Sequence, residues 1–111
     1  AHTTAGEALW VGVPVVTVIG ETFAQRVAPS LLHAVALDEL SCASVADYEA
    51  RVIALAGDTA RRAALRERLV QQRGSTPLFD GARFARDIES LYERMWARAV
   101  AGLPPDHLPA A

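Results

Sequence analysis

The sequence predicts an α/β fold that is rich in helix and contains one or two strands. The run from Val13 to Ile19 is almost entirely apolar and β-branched, with no polar alternation, which is typical of a strand buried on both faces of a parallel sheet. Helix-capping side chains recur along the rest of the chain, so most other segments are predicted to be helical. Because a doubly covered strand needs neighbouring strands, we expect this chain to be the C-terminal portion of a larger α/β domain.

The first predicted element is a short helix that precedes this strand. Thr4 and Glu7 have the spacing of a capping box, in which a hydroxyl accepts from the backbone at the helix start and the glutamate reaches back. The helix is expected over about residues 5–11, and Gly12 should end it.

A second capping box, Thr22 with Gln25, predicts a helix from Phe23 toward Val35. Pro29 falls inside this helix and should kink or break it, because proline removes a hydrogen bond and its ring clashes with the preceding turn. Residues 40–43 are a candidate second strand.

Ser44, Asp58 and Asp80 are predicted to cap three further helices, the last of them running to about Ala101. We divide the chain into an α/β part (about residues 1–43), a helical part (44–101) and a proline-containing tail (102–111). The expected inner faces of these helices consist of Val45, Tyr48, Val52, Leu55, Leu65, Leu69, Phe84, Ile88, Leu91, Met95 and Ala99. The arginines of the middle helix, which are expected to lie mostly in solvent, are Arg61, Arg62, Arg66, Arg68 and Arg73.

Composition limits the classes of function. A net charge of −2 argues against a general nucleic-acid surface, and the longest apolar stretch is far too short to cross a membrane. Cys42 is the single cysteine, which excludes an internal disulfide and a multi-cysteine metal site and fits a reducing compartment such as the cytoplasm. All eleven basic residues are arginine, which we attribute to the coding bias of an Ala- and Arg-rich, bacterial genome.

The start of the first helix is the strongest candidate for a binding site. A helix N-terminus exposes backbone N–H groups and the positive end of the helix dipole, and it binds phosphate in many α/β folds. His2, Thr3 and Thr4 would add donors there, and Glu7 could accept hydrogen bonds from a ribose diol. An ordinary self-capped helix is the alternative that this segment alone leaves open.

The wider pattern, Thr4-x-x-Glu7-Ala8-x-x-x-Gly12-x-Pro14 before an apolar strand, resembles the nucleotide-sugar site of GT-B glycosyltransferases. More specifically, the chain resembles the C-terminal catalytic lobe of the SPINDLY and O-linked N-acetylglucosamine transferase family. The segments that carry this resemblance are His2-Thr3-Thr4, Leu9-Trp10-x-Gly12-x-Pro14, Gly20-Glu21-Thr22, Arg26-Val27-Ala28, Tyr48-Glu49, Ser75-x-Pro77-Leu78-Phe79, Met95-Trp96 and Pro105-Asp106-His107.

The resemblance implies a Rossmann-like GT-B lobe that binds a nucleotide sugar, with UDP-N-acetylglucosamine the expected donor and protein Ser or Thr hydroxyls the acceptors. It assigns donor contacts to His2, Thr3, Thr4 and Glu7, although relatives commonly have Asp at the position of Glu7. No metal or other cofactor is expected, and no catalytic residue is assigned.

The family also implies an upstream GT-B lobe and tetratricopeptide repeats, so this fragment is expected to be inactive alone. Relatives differ in whether the donor carries N-acetylglucosamine or fucose. The alternative from a different class is a helical protein-interaction module that binds no nucleotide.

Overall fold

The computed structural model describes residues 1–109. It forms two compact units, one from Ala1 to Phe79 and one that begins at Asp80. The first unit holds both strands and all but the longest helix. In chain order the elements are α1 (Thr3–Trp10), β1 (Thr17–Val18), α2 (Phe23–Ala34), a 3-10 turn (Asp38–Leu40), β2 (Ser41–Cys42), α3 (Val45–Gly57), α4 (Thr59–Gln72), a second 3-10 turn (Pro77–Phe79) and α5 (Gly81–Val100).

The two strands pair in parallel, with Thr17 opposite Ser41 and Val18 opposite Cys42. The parallel sheet predicted from sequence is therefore confirmed, but β1 is much shorter than the predicted strand. The first residue of that run closes the C-terminus of α1 instead, because the Val13 N–H donates to the Ala8 carbonyl at 2.8 Å. Within the described chain β1 is half-buried, so the expected burial on both faces is not seen.

The core of the first unit lies where α1, α2, α3 and α4 meet beside the sheet. Its members are all aliphatic, and most of them are fully excluded from solvent. They are Leu9, Leu32, Val35, Leu37, Leu40, Leu55, Leu65 and Leu69. Burial of this surface is the main favourable term in folding, and it fixes the four helices relative to the strands.

Four predicted caps are confirmed. Thr22 and Gln25 form a reciprocal capping box at the start of α2. The side chains of Ser44, Asp58 and Asp80 accept from the backbone at the starts of α3, α4 and α5. These bonds satisfy N–H groups that a helix cannot pair internally.

The predicted break at Pro29 is wrong, because α2 continues through it from Phe23 to Ala34. Pro29 itself is buried. Packing of this helix face against the core offsets the hydrogen bond that the proline cannot donate, and tertiary context overrides the local preference.

The predicted inner faces are confirmed only in part. Leu55, Leu65 and Leu69 are buried, as expected. In contrast, Val45 on α3 is 72% exposed, and α5 buries none of its side chains. An apolar stripe identifies a face suited to packing, and it does not guarantee that the described residues cover that face.

The arginines of α4 are less free than the sequence suggests. The Arg62 guanidinium donates to the Leu55 carbonyl at 2.5 Å, and Arg68 donates to the Ala36 carbonyl. Both arginines thereby supply partners to carbonyls at the ends of neighbouring helices. The expectation that the arginines of α4 form a mostly solvated face is wrong for these two.

In the second unit the tail folds back beside the last turns of α5. The Arg98 side chain donates to the Pro104 carbonyl at 2.5 Å and to the Asp106 carboxylate at 3.3 Å. The Arg94 guanidinium reaches the Pro109 carbonyl at 2.7 Å. As predicted, the tail is not helical as far as Pro109, and the last two residues of the predicted tail lie outside the described range.

Replacement of Leu32 by Ala should destabilise the first unit by about 2–5 kcal/mol, because Leu32 is fully buried and its loss leaves a cavity. The matched control is Ile53→Ala, since Ile53 has the same number of carbon atoms and is 65% exposed. Hydrogen exchange of peptides from α2 and α4 in the full-length protein measures the effect. Equal exchange rates in the two variants would contradict the assigned core.

Candidate functional site

The four predicted site residues lie together at the start of α1. His2 is the N-cap residue, Thr3 and Thr4 are the first two residues of the helix, and Glu7 follows one turn later. All four side chains are exposed. The prediction that these residues lie at a helix N-terminus is therefore confirmed.

The predicted capping box between Thr4 and Glu7 is wrong. The helix begins earlier than expected, because the His2 carbonyl accepts the N–H of Gly6 at 3.2 Å and takes the N-cap position. Thr4 thus lies inside the first turn, where its hydroxyl cannot cap the helix. Within residues 1–109, no hydrogen bond is made to the Glu7 carboxylate.

The N-terminus of α1 is open, unlike those of the other helices. The starts of α2, α3, α4 and α5 are closed by side chains, whereas no side chain caps α1 within the described part of the chain. Among the described residues nothing pairs its first backbone N–H groups, which a helix cannot pair internally and which project from the positive end of the helix dipole. With two threonine hydroxyls and an imidazole beside them, this end is suited to bind an anion.

The start of α2 lies next to this open end. The rings of His2 and Phe23 have centroids 5.6 Å apart and are tilted by 49°. Phe23 follows the turn that leaves β1, and its side chain is 78% exposed. The turn also contains Glu21, whose side chain is exposed. The open helix end therefore lies near the carboxyl edge of the sheet, where ligands of α/β folds commonly bind.

A shallow groove of about 580 Å³ runs along the same face of α1. Thr3, Glu7 and Trp10 line one wall, and apolar side chains from α2 and the second 3-10 turn line the other. Residues three and four apart lie on one face of a helix, so these three side chains form a continuous surface. An anionic group bound at the helix end would have the Glu7 carboxylate one turn away.

The other chemically active side chains do not join this site. Cys42 is buried beside the core, and Nδ1 of His33 forms an exposed hydrogen bond with the Asp38 carboxylate at 2.7 Å. No group of three His, Cys, Asp or Glu side chains suited to a metal ion occurs between residues 1 and 109. None of the described helices combines the length and apolar character that a membrane crossing requires.

A cluster at the far end of α1 was not anticipated from the sequence. The Trp10 and Phe79 rings meet in a T-shaped arrangement with centroids 4.9 Å apart, and the Arg73 guanidinium carbon lies 4.7 Å from the centroid of Trp10. The sequence predicts that Arg73 lies mostly in solvent, whereas it is half-buried against Trp10. Trp10 is more than sixty residues from Arg73 and Phe79 in the sequence, so no local pattern predicts these contacts. They arise only when the chain folds.

Comparison with known proteins identifies the family. The family model for glycosyl transferase family 41 matches residues 1–88. A UDP-N-acetylglucosamine–peptide N-acetylglucosaminyltransferase of Caenorhabditis elegans is 36% identical over 107 residues, covering 96% of this chain and 9% of the relative. A probable SPINDLY enzyme of Solanum lycopersicum is 41% identical over 103 residues, covering 93% of this chain and 11% of the relative.

A solved structure shows the same architecture. A mutant O-GlcNAc transferase of Thermobaculum terrenum superposes with a TM-score of 0.77 and 37% sequence identity, over 86% of this chain and 18% of that one. The likeness supports the predicted α/β fold as the C-terminal portion of a GT-B lobe. The chain spans about a tenth of the length of the curated relatives that it matches. From the sequence match and the shared fold we conclude that this chain belongs to glycosyl transferase family 41.

Proposed function

We propose that this chain forms the diphosphate- and ribose-binding part of the donor site in an enzyme that transfers N-acetylglucosamine from UDP-N-acetylglucosamine to Ser or Thr hydroxyls of proteins. The observation that carries the proposal is the uncapped N-terminus of α1, with His2, Thr3 and Thr4 around it. Relatives that bear the name of this activity support the donor and the acceptor class.

The open helix end would bind the donor diphosphate. The backbone N–H groups of Thr3 and Thr4 and their two hydroxyls can donate to phosphate oxygens, while the imidazole of His2 adds a further donor. During transfer, negative charge grows on the diphosphate as the bond to the sugar breaks. Donors fixed in advance around the site of that charge stabilise the transition state. The proposal assigns this task to the helix end and to no metal ion.

Glu7 would hold the ribose. Its carboxylate is exposed, lies one turn from the helix end and is not needed to cap the helix. A carboxylate can accept from both hydroxyls of a diol, and bonds to a charged acceptor are about twice as strong as neutral ones. Since α1 fixes the distance between Thr3 and Glu7, one rigid element would contact both the phosphate and the sugar of the nucleotide.

This chain would not act alone. We propose that the complete cytoplasmic enzyme also contains an opposing GT-B lobe and tetratricopeptide repeats that bind the protein acceptor. The catalytic base is not assigned to any residue described here. Donor binding by the isolated chain without transfer would agree with this division of roles.

Replacement of Thr4 by Val should weaken binding of UDP to the full-length protein by about 10- to 150-fold, because a hydrogen bond to a charged group contributes about 1.5–3 kcal/mol. The melting temperature should stay unchanged, since the exposed Thr4 hydroxyl caps nothing. Isothermal titration calorimetry measures the affinity.

The matched control for this variant is Thr59→Val, because Thr59 is the first residue of α4 and is exposed. It should leave the affinity for UDP unchanged. Unaltered UDP binding by a folded Thr4→Val variant would contradict the phosphate assignment and favour an interaction module that binds no nucleotide.

Replacement of Glu7 by Gln should weaken UDP binding about tenfold, equivalent to about 1.4 kcal/mol. Glu7→Ala should weaken it further, and neither change should lower the melting temperature. Glu49→Gln, an exposed glutamate of α3, is the control and should have no effect.

A UDP analogue without the ribose hydroxyls separates the ribose role from a general effect of charge. The natural chain and Glu7→Gln should bind this analogue equally. If the natural chain still binds the analogue more tightly by the same factor, Glu7 is not the ribose ligand.

A further inference from the structure

The far end of α1 is held by three side chains from three elements, which we call the Trp10 clamp: Trp10, Arg73 and Phe79. Trp10 is the last residue of α1, Arg73 follows α4 directly, and Phe79 ends the second 3-10 turn. The planes of the indole and the Phe79 ring cross at 78° in a T-shaped arrangement, and the guanidinium carbon lies over the indole, 4.7 Å from its centroid. Both arrangements are attractive geometries for an aromatic ring.

The rest of α1 is weakly held. The helix has eight residues and buries only Ala5 and Leu9. These two residues are one turn apart and lie on the same side of the helix. Their burial therefore anchors one side of α1 and leaves the helix able to rotate about that side. Trp10 lies about 100° around the helix from Leu9, and its contacts therefore oppose the roll.

The clamp lies on the face that carries the proposed ligand contacts. Thr3, Glu7 and Trp10 are spaced by four and three residues, which places them on one side of the helix. All three line the same groove. A roll that moved Trp10 away from Phe79 would thus turn Thr3 and Glu7 by the same angle.

Arg73 contacts Trp10 through the face of the indole. Its Nε atom is buried and has no hydrogen-bond partner among residues 1–109. Arg73 is half-buried, and the face of Trp10 is a favourable contact for its guanidinium.

The backbone after α1 also rests closely on α4. Gly12 has a φ of +84°, and a Cβ atom there would lie only 3.0 Å from Cγ2 of Val70. Only glycine combines this backbone angle with the absence of a Cβ atom, so Gly12 lets the chain after α1 pack directly against α4. The position of α1 is therefore fixed relative to α4, the helix that Arg73 follows.

A small roll at the clamp displaces the side chains that would contact the ligand. Side-chain atoms lie about 6 Å from the helix axis, so a roll of about 10° moves them by about 1 Å. A misplacement of about 1 Å in a positioning group can cost about 100-fold in rate.

On these grounds, and resting on the function proposed above, we propose that Trp10, Arg73 and Phe79 are positioning residues. They set the orientation of α1 and so aim its open N-terminus and Glu7 at the donor, without touching the donor themselves.

The test measures UDP affinity and the steady-state constants of the full-length enzyme carrying Arg73→Gln, Trp10→Leu or Trp10→Phe. Arg73→Gln and Trp10→Leu should weaken UDP binding about tenfold and raise the KM for the donor. Trp10→Phe retains an aromatic ring against Phe79 and should restore most of the affinity. Arg61→Gln, an exposed arginine on α4, is the matched control and should have no effect.

A double variant distinguishes positioning from a structural effect elsewhere. In the Thr4→Val background, where one contact at the helix end is already lost, Arg73→Gln should cost clearly less than tenfold, because both changes act on the same contacts. A full tenfold loss in both backgrounds would overturn the positioning role. If Trp10→Leu fails to fold, Arg73→Gln still decides the question.

The failure of this proposal can be separated from that of the proposed function. If Thr4→Val weakens UDP binding while Arg73→Gln and Trp10→Leu do not, the clamp has no positioning role and the donor site stands. If Thr4→Val leaves UDP binding unchanged, the donor site and the clamp proposal are both overturned.

Discussion

The site depends on how a very short helix is held in place. A helix of eight residues is not stable in water by itself, because nucleation is costly and few hydrogen bonds repay it. The burial of Leu9 among the aliphatic side chains of the core supplies what the helix lacks. The Trp10 clamp adds contacts around the side of the helix that Leu9 does not reach. The location of the N-terminus is thus decided by packing some distance from it.

The same helix differs from its neighbours in how its start is satisfied. The other helices of residues 1–109 use Thr, Ser or Asp caps, which lower the free energy of the fold by about 1 kcal/mol each. No side chain among these described residues caps α1, so its first N–H groups stay available. Proteins commonly give up stability at positions where a ligand must bind. An uncapped end beside hydroxyls and an imidazole is therefore consistent with a binding role that the family membership suggests independently.

Much of the fold follows from local sequence signals. The caps at Thr22, Ser44, Asp58 and Asp80 were predicted because a short polar side chain before an apolar run has a direct mechanism. The parallel pairing followed from the β-branched composition of the run after Gly12. The site residues were located by the likeness of their segment to a known family, and their roles stay predictions.

Other features could not be read from local signals. The start of α1 was misplaced because Thr4 and Glu7 have the spacing of a capping box, while the competing N-cap at His2 uses only its backbone carbonyl. The continuity of α2 through Pro29 depends on tertiary packing, and the contact of Arg73 with Trp10 joins residues far apart in the chain. Because His2 is the N-cap of α1, the Glu7 carboxylate makes no hydrogen bond within residues 1–109, which leaves it available for the contact proposed above.

A crystal structure of the full-length protein with UDP bound tests the proposed donor site most directly. Phosphate oxygens are expected within about 3 Å of the backbone nitrogens at the first turn of α1, a normal N–H···O distance. The Glu7 carboxylate is expected at the ribose hydroxyls. A diphosphate bound elsewhere, with the start of α1 left in solvent, would contradict the central claim that the uncapped helix end is the donor site.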